Sequence, residues 1–163
     1  LLAHPFTNAT SSPPGDKREY VLIINSYNES SSWSWEIITD ITARIEQIEN
    51  AVQTEHGNVV CIEKGNKLTF DIHYHIRLVE ASEYDIADYT ALKGFISGMY
   101  AGNYDITHIF IDSLTKIVGG DCDNETELFL DWLNKFAERH NIKFTITISD
   151  DASLAPEGVK KYF

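Results

Sequence analysis

The stretch "THIFIDSLTKI", Thr107 to Ile117, contains an apolar run that ends in a single carboxylate, a pattern typical of a strand in an α/β fold. The bulky apolar residues Ile109 to Ile111 predict a strand that is buried on both faces of a sheet. Asp112 follows this run, and a strand-final aspartate can hold Mg²⁺ directly or through water. The same residue type also serves as a helix or turn cap, so a magnesium role for Asp112 needs a phosphate-binding loop beside it.

Other apolar runs predict further strands before and after this one. They are "YVLIIN" (Tyr20 to Asn25), "NVVCIE" (Asn58 to Glu63), "HIRLVEA" (residues 75–81) and "IKFTITIS" (Ile142 to Ser149).

A helix is predicted between the first two of these strands. Isoleucines repeat there at spacings of three and four, which is typical of one face of a helix, and the serines from Ser30 to Ser34 offer N-caps. The isoleucines are Ile37, Ile38, Ile41, Ile45 and Ile48.

A second helix is predicted in "DYTALKGFISGMYAGN", residues 88–103, with Gly102 and Asn103 as its C-terminal stop. Gly94 and Gly98 lie four residues apart on this helix, and we interpret them as permitting close packing on a neighbouring element.

Two more helices are predicted near the C-terminus. "NETELFLDWLNKFAERH", residues 124–140, begins with Asn124 and Glu127 in a capping-box-like arrangement. Pro156 suits the first position of a short last helix.

Alternating strands and helices predict an α/β fold of three layers, P-loop- or Rossmann-like. We expect a mostly parallel sheet of about five strands with helices on both faces. Residues 1–18 are rich in Ser, Thr, Pro and Gly and predict a flexible leader, so residues 19–163 form the predicted single domain.

The charge balance excludes several partners. Thirteen Lys and Arg against 25 Asp and Glu give a net charge of −12. This acidity opposes nonspecific binding to nucleic acid, which needs basic side chains, and docking on an anionic membrane. No apolar run reaches the roughly 18 residues that a membrane span requires. The oligomeric state stays open.

The phosphate-binding loop that Asp112 would need has no counterpart in the sequence. Its motif, Gly-x-x-x-x-Gly-Lys-Ser/Thr, supplies a cradle of backbone N–H groups and a lysine. The place after the first strand holds "NSYNESSSW", Asn25 to Trp33, with neither glycine nor lysine. The nearest resemblance, "EKGNKLT" (Glu63 to Thr69), lacks the spacing. We therefore expect no cofactor, and Mg-nucleotide only if a degenerate site at Asp112 binds it.

The residues that replace the loop suggest another chemistry. Asn25, Ser26 and Tyr27 are neutral hydrogen-bonding groups at a strand end, and Trp33 adds an apolar platform. This set suits recognition of a small polar ligand. An ordinary strand-to-helix loop, with serine caps and a packed tryptophan, explains the same residues.

Residues 51–163 closely resemble the C-terminal part of a small P-loop ATPase-like family from Firmicutes. The similar stretches include "GNVVCIEKGNKLTFDIHYHIRLVEASEYDI" and "LKGFISGMYAGNYDITHIFIDSLTKI". The resemblance implies that Asp112 is the magnesium-side carboxylate of a Walker B strand and that the protein is cytoplasmic. The Walker A residues of that family match nothing in this chain.

Residues 19–50, with "EYVLIINSYNESSSWSWEIITDI", resemble the first strand and helix of periplasmic-binding-protein-like sensor domains of bacterial sensor kinases. Asn25, Ser26, Tyr27 and Trp33 match the residues that open the ligand cleft there, while Ser32 replaces a usual proline. This resemblance implies a periplasmic or extracellular location.

We therefore interpret the chain as a composite of two families, either an engineered chimera or a natural fusion. The first hypothesis is a non-catalytic α/β domain of unknown or engineered function, an ATPase-like scaffold without a phosphate-binding loop. The alternatives are an extracytoplasmic small-ligand sensor module of a bacterial two-component system and a degenerate nucleotide-binding protein.

Overall fold

The computed structural model describes residues 21–25, 34–38, 41–149 and 155–161. Strands in these ranges are β1 (Val21–Asn25), β2 (Ser34–Ile38), β3 (Asn58–Glu63), β4 (Arg77–Glu80), β5 (Ile106–Ile111) and β6 (Lys143–Ser149). Helices are α1 (Ile41–Thr54), α2 (Tyr89–Gly102), α3 (Leu114–Val118), α4 (Asn124–His140) and α5 (Glu157–Lys160), with a 3-10 turn at Ala81–Tyr84. The predicted leader, residues 1–18, lies outside the described residues.

The strands form one six-stranded sheet with the order β2-β1-β6-β5-β3-β4. Strands β6, β5, β3 and β4 run parallel to one another, whereas β1 pairs antiparallel with both β6 and β2. The mostly parallel α/β architecture that the sequence predicts is confirmed, with one strand more than the expected five among the described residues.

Side chains of β5 alternate between two cores, which places helices on both faces of the sheet. Ile109 and Ile111 are fully buried in the larger core, with Phe129 of α4 and Leu92 of α2. Phe110 faces the smaller core. The rest of the smaller core comprises Ile48 of α1, Val59, Cys61, Leu68 and Ile76. The three-layer arrangement follows from this division.

The prediction of a helix from Ser30 onward is wrong for residues 34–38, which form β2. Ile37 and Ile38 pair with Leu22 and Val21 of β1 instead of extending the helix, which begins at Ile41. The sequence "SWEII" also alternates apolar and polar residues at a spacing of two through Ile37, so it fits a strand as well as a helix.

Helix α4 covers the predicted residues, but its N-cap lies one residue before the predicted Asn124. Asp123 is the N-cap, and its carboxylate accepts hydrogen bonds from the backbone N–H groups of Glu125 and Thr126 at 2.9 and 3.2 Å. The Thr126 hydroxyl accepts from the Asp123 N–H at 3.0 Å, which completes a capping box. The predicted pair of Asn124 and Glu127 does not form this cap.

The glycines of α2 do not have the predicted packing role. A Cβ atom added at Gly94 or at Gly98 would meet no atom within 4 Å, so neither residue permits a close approach by another element. Both are exposed and border an open groove.

No helix in the described part of the chain is long and apolar enough to cross a membrane.

Substituting alanine for glycine at two positions should change stability in opposite directions. Gly98→Ala should raise the free energy of unfolding by about 0.5–1 kcal/mol, because alanine favours the helix and meets open space. Gly57→Ala should lower it by about 1–3 kcal/mol, because its Cβ would lie 2.4 Å from the Asp105 carbonyl oxygen. Urea unfolding measures both, and a destabilised Gly98→Ala protein would contradict the open environment of Gly98.

Candidate functional site

The carboxyl ends of the parallel strands β4, β3 and β5 each carry a carboxylate at one edge of the sheet. Glu80 and Glu63 are the last residues of β4 and β3, and Asp112 follows β5. Ligands of open parallel sheets bind at this edge, so the chemistry of these three side chains decides what the edge can do.

Asp112 lies where the sequence predicts, and it is only 7% exposed. Its backbone N–H donates to the Ile62 carbonyl oxygen at 2.8 Å, which extends the pairing of β5 with β3. Its carboxylate accepts hydrogen bonds from the Thr147 hydroxyl at 2.9 Å and from the Ser113 hydroxyl at 3.2 Å. Asp112 therefore joins β5 to β6 and to the start of α3.

Ser113 and Thr147 hold that carboxylate in place. Ser113 has a left-handed backbone, with φ of 58°, a conformation that costs a non-glycine residue about 1–2 kcal/mol. Its N–H donates to the Thr147 hydroxyl oxygen at 2.6 Å, and that hydroxyl donates to Asp112. These hydrogen bonds offset the backbone cost, and they give the Asp112 carboxylate a structural role.

The loop after β3 points successive backbone N–H groups at two carboxylates. Glu63 accepts hydrogen bonds from the N–H groups of Lys67 and Leu68, each at 3.1 Å. Glu80 accepts from the N–H groups of Gly65 and Asn66, at 2.7 and 3.1 Å. We call residues 65–68 the amide nest, since consecutive N–H groups of this kind form an anion-binding concavity.

The first two residues of the amide nest have positive φ angles, which few residue types adopt easily. Gly65 has φ of 110° and Asn66 has φ of 54°, in a region that glycine and asparagine tolerate better than other residues. Glu80 also accepts from the Ser82 N–H at 3.0 Å, so the same carboxylate caps the 3-10 turn after β4. Two glutamates thus fix two turns at the carboxyl edge.

From its sequence, this loop is only a poor match to a phosphate-loop motif, and the convergence of its backbone N–H groups was not predicted. The anions that fill it come from Glu63, directly before the loop, and from Glu80 on the neighbouring strand β4. The left-handed Gly65-Asn66 pair after an apolar strand is the signal that could have indicated a nest.

The two glutamates have opposite pKa shifts. Glu63 is 1% exposed, and burial raises its pKa despite the N–H groups of Leu68 and Lys67; Asp112 and Glu80 raise it further. For Glu80, burial also opposes the charged form, but the hydrogen bonds from Gly65, Ser82 and Asn66 outweigh it and lower the pKa. Glu80 is therefore the carboxylate of the pair that stays ionised to lower pH.

A second buried polar group lies nearer the amino ends of the strands. Glu55 accepts a hydrogen bond from Lys143 Nζ at 2.6 Å, and its carboxylate lies 3.7 Å from His108 Nδ1. The His108 imidazole and the Lys143 ammonium outweigh burial and hold the pKa of Glu55 at about 2. Burial lowers the pKa of His108 against the pull of Glu55. His108 Nε2 bonds the Thr145 hydroxyl at 2.8 Å, so this group joins α1, β5 and β6.

Asn25, the one predicted ligand-binding residue that the structure describes, does not lie beside Asp112. Because β1 is antiparallel, Asn25 pairs with Thr145, and Val21 pairs with Ser149 at the carboxyl end of β6. Strand β6 also separates β1 from β5, which puts Asn25 about 10 Å across the sheet from that strand. The carboxyl end of β1 therefore points away from the edge of the sheet that carries Asp112.

Ser26, Tyr27 and Trp33 lie outside the described residues. The ligand-binding role of these residues and of Asn25 stays a prediction.

The residues present do not fit a magnesium-nucleotide site. Within the described ranges, no group of three His, Cys, Asp or Glu side chains could hold a metal ion. Asp112 is engaged by two hydroxyls, and the amide nest faces protein carboxylates. The magnesium role of Asp112 stays a prediction without further ligands in this part of the chain.

Replacing Glu63 or Glu80, the two carboxylates bound by the amide nest, with glutamine should give opposite pH dependences of stability. Glu63 has a raised pKa, so its ionised form costs free energy at neutral pH, and this cost disappears as the pH falls. Glu63→Gln should stabilise the protein by about 1 kcal/mol at pH values above that pKa and lose the advantage in acid. Glu63 Oε2 accepts the two shorter N–H bonds at 3.1 Å, so a glutamine carbonyl at that position keeps them and gives up only the 3.4 Å bond from Leu68 to Oε1.

Glu80→Gln should destabilise the protein by about 1 kcal/mol at neutral pH, because Glu80 uses both carboxylate oxygens as acceptors. Its lowered pKa means that this loss shrinks only as the pH falls through that value. Urea unfolding of both variants from acid to neutral pH measures the two slopes. Parallel slopes would contradict the assignment of the two carboxylates.

Comparison with protein-family models, with curated proteins and with solved structures finds no match to this chain. The two family resemblances and the composite origin therefore stay predictions.

Proposed function

We propose that this chain is a non-catalytic α/β domain, an ATPase-like scaffold whose carboxyl edge serves folding instead of phosphate binding. The observation that carries the proposal is the amide nest, whose backbone N–H groups already bind the carboxylates of Glu63 and Glu80. In a phosphate loop the same kind of N–H group binds the ligand.

A nucleotide would have to displace these carboxylates and approach further negative charge. Glu80 is anchored by backbone hydrogen bonds from both sides of β4, and Asp112 adds a third carboxylate at the edge. Two like charges about 4 Å apart near a protein surface repel by roughly 4 kcal/mol. A triphosphate at this edge would meet that repulsion with no N–H donors of the nest left to offset it.

One feature favours a degenerate nucleotide-binding protein as a second candidate. Lys64 directly precedes the amide nest and Lys67 lies within it. Both side chains are exposed, so they would attract an anion toward the nest. Attraction by mobile surface lysines is weak and salt-dependent, and it does not replace the filled donors beneath them. The non-catalytic reading is therefore the better supported of the two.

The extracytoplasmic sensor remains a further alternative, which rests on the resemblance of residues 19–50 and on Asn25, Ser26, Tyr27 and Trp33. The cellular compartment depends on which resemblance is correct. A thermal-shift screen with sugars, amino acids and organic acids would address it, because a ligand at those residues should raise the melting temperature.

Isothermal titration with Mg-ATP tests the proposal directly. We expect no saturable binding with a Kd below about 1 mM and no ATP hydrolysis above the buffer rate, because the nest donors are occupied. A micromolar Kd that Asp112→Asn abolishes would contradict the proposal and support a degenerate nucleotide site. Asp105→Asn is the matched control, since Asp105 is an exposed aspartate that directly precedes β5, at the opposite end of this strand from Asp112.

A further inference from the structure

A groove of about 670 Å³ lies between α2 and β4, on the face of the sheet that carries the larger core. Its floor is apolar and consists of Val60, Val79 and Ile106, which belong to the larger core. We call this feature the α2–β4 groove. Its volume lies within the range of roughly 300–1,000 Å³ that small-molecule sites occupy.

Glycines keep the groove open along one wall. Gly94, Gly98 and Gly102 line it at successive turns of α2, and a Cβ at any of them would meet nothing within 4 Å. Glycine inside a helix costs about 0.5–1 kcal/mol relative to alanine. No packing contact explains that cost here, whereas an open channel beside the floor does.

The remaining apolar wall is aromatic. Tyr84, in the 3-10 turn after β4, and Phe95 of α2 have ring centroids 5.1 Å apart, and Met99 lies on the same side of the groove. Tyr84 is 47% exposed, so an occupant of the groove would cover apolar surface that water now contacts. A flat or slender apolar body suits this wall.

Charge is distributed unusually around the groove. The chain has 25 acidic residues, yet none of the aspartates and glutamates in the described part of the chain lines the groove. Arg77, at the start of β4, is its one formally charged lining residue, and the Arg77 side chain forms no hydrogen bond or ion pair with another described residue. His75, Asn58 and Asn103 add polar groups near the same end. A guanidinium beside an apolar floor, with no bonded partner among the described residues, is complementary to a carboxylate on an apolar body.

We propose that the α2–β4 groove binds a small amphiphilic carboxylate, with its apolar body on Val60, Val79 and Ile106 and its carboxylate paired with Arg77. This site goes beyond the proposed function, which concerns the amide nest and the carboxylates that it binds. Its failure would leave the Mg-ATP experiment unaffected.

The test uses 4-phenylbutyrate and its neutral isostere 4-phenylbutyramide as probes on the full chain. Titration followed by ¹H–¹⁵N NMR should show saturable shifts of groove amides, with a Kd of about 0.1–1 mM, as expected of a probe this small. The amide should bind at least about 10-fold more weakly, because it cannot form the charged pair with Arg77.

Three variants locate the binding. Arg77→Gln should weaken 4-phenylbutyrate binding at least about 10-fold, and Arg139→Gln, at an exposed arginine in the last turn of α4, should leave it unchanged. Gly98→Leu should abolish binding by filling the groove, and its added Cβ meets open space, so the fold should persist. The NMR spectrum of each free variant verifies the fold.

Several results would overturn the proposal. They are the absence of saturable shifts with 4-phenylbutyrate, equal affinity for acid and amide, or equal effects of Arg77→Gln and Arg139→Gln. Strand β4 is also the edge of the described sheet, so a second copy could occupy the groove. A concentration-dependent dimer in sedimentation that Gly98→Leu dissociates would assign the groove to that copy and overturn the small-molecule proposal.

Discussion

The hydrogen bonds from the amide nest to Glu63 and Glu80 are the constraint on which the carboxyl edge depends. They connect the end of β3, the end of β4 and the loop between them, so the edge strand and the loop are fixed together. Below this loop, Leu68 and Ile76 complete the smaller core with Ile48 of α1. A loop that resembles a ligand cradle in its backbone therefore acts as part of the fold.

The two faces of the sheet have different chemistry, and this difference separates folding from candidate binding. On one face, the buried polar residues His108 and Thr145 are hydrogen-bonded to each other across β5 and β6, and Thr147 of β6 donates to Asp112 directly after β5. The opposite face holds the larger core, whose side chains are apolar, and at its β4 edge the α2–β4 groove opens to solvent. The buried polar side chains thus hydrogen-bond to other parts of the fold, whereas the open apolar groove exposes surface that a ligand can cover.

Much of the parallel part of the fold was predictable, and the errors have physical causes. The strand bounds at Asn58–Glu63 and the helix at Asn124–His140 follow from continuous apolar runs and from a clear 3.6-residue period. Strand β2 was missed because Ile37 and Ile38 continue the spacing of the helix that begins at Ile41. The direction of β1 was missed because pairing direction depends on tertiary contacts. The amide nest was missed because its two anions come from different strands, which no local motif records.

An NMR pH titration of the four nest amides tests the central claim most directly. If the account is correct, the Gly65 and Asn66 amide shifts follow a group with a pKa below the ordinary glutamate value, which is Glu80. The Lys67 and Leu68 amides should follow a group with a raised pKa, which is Glu63. Added Mg-ATP should move none of the four. A single common transition, or saturable shifts on adding Mg-ATP, would contradict the claim that the protein's own carboxylates fill the nest.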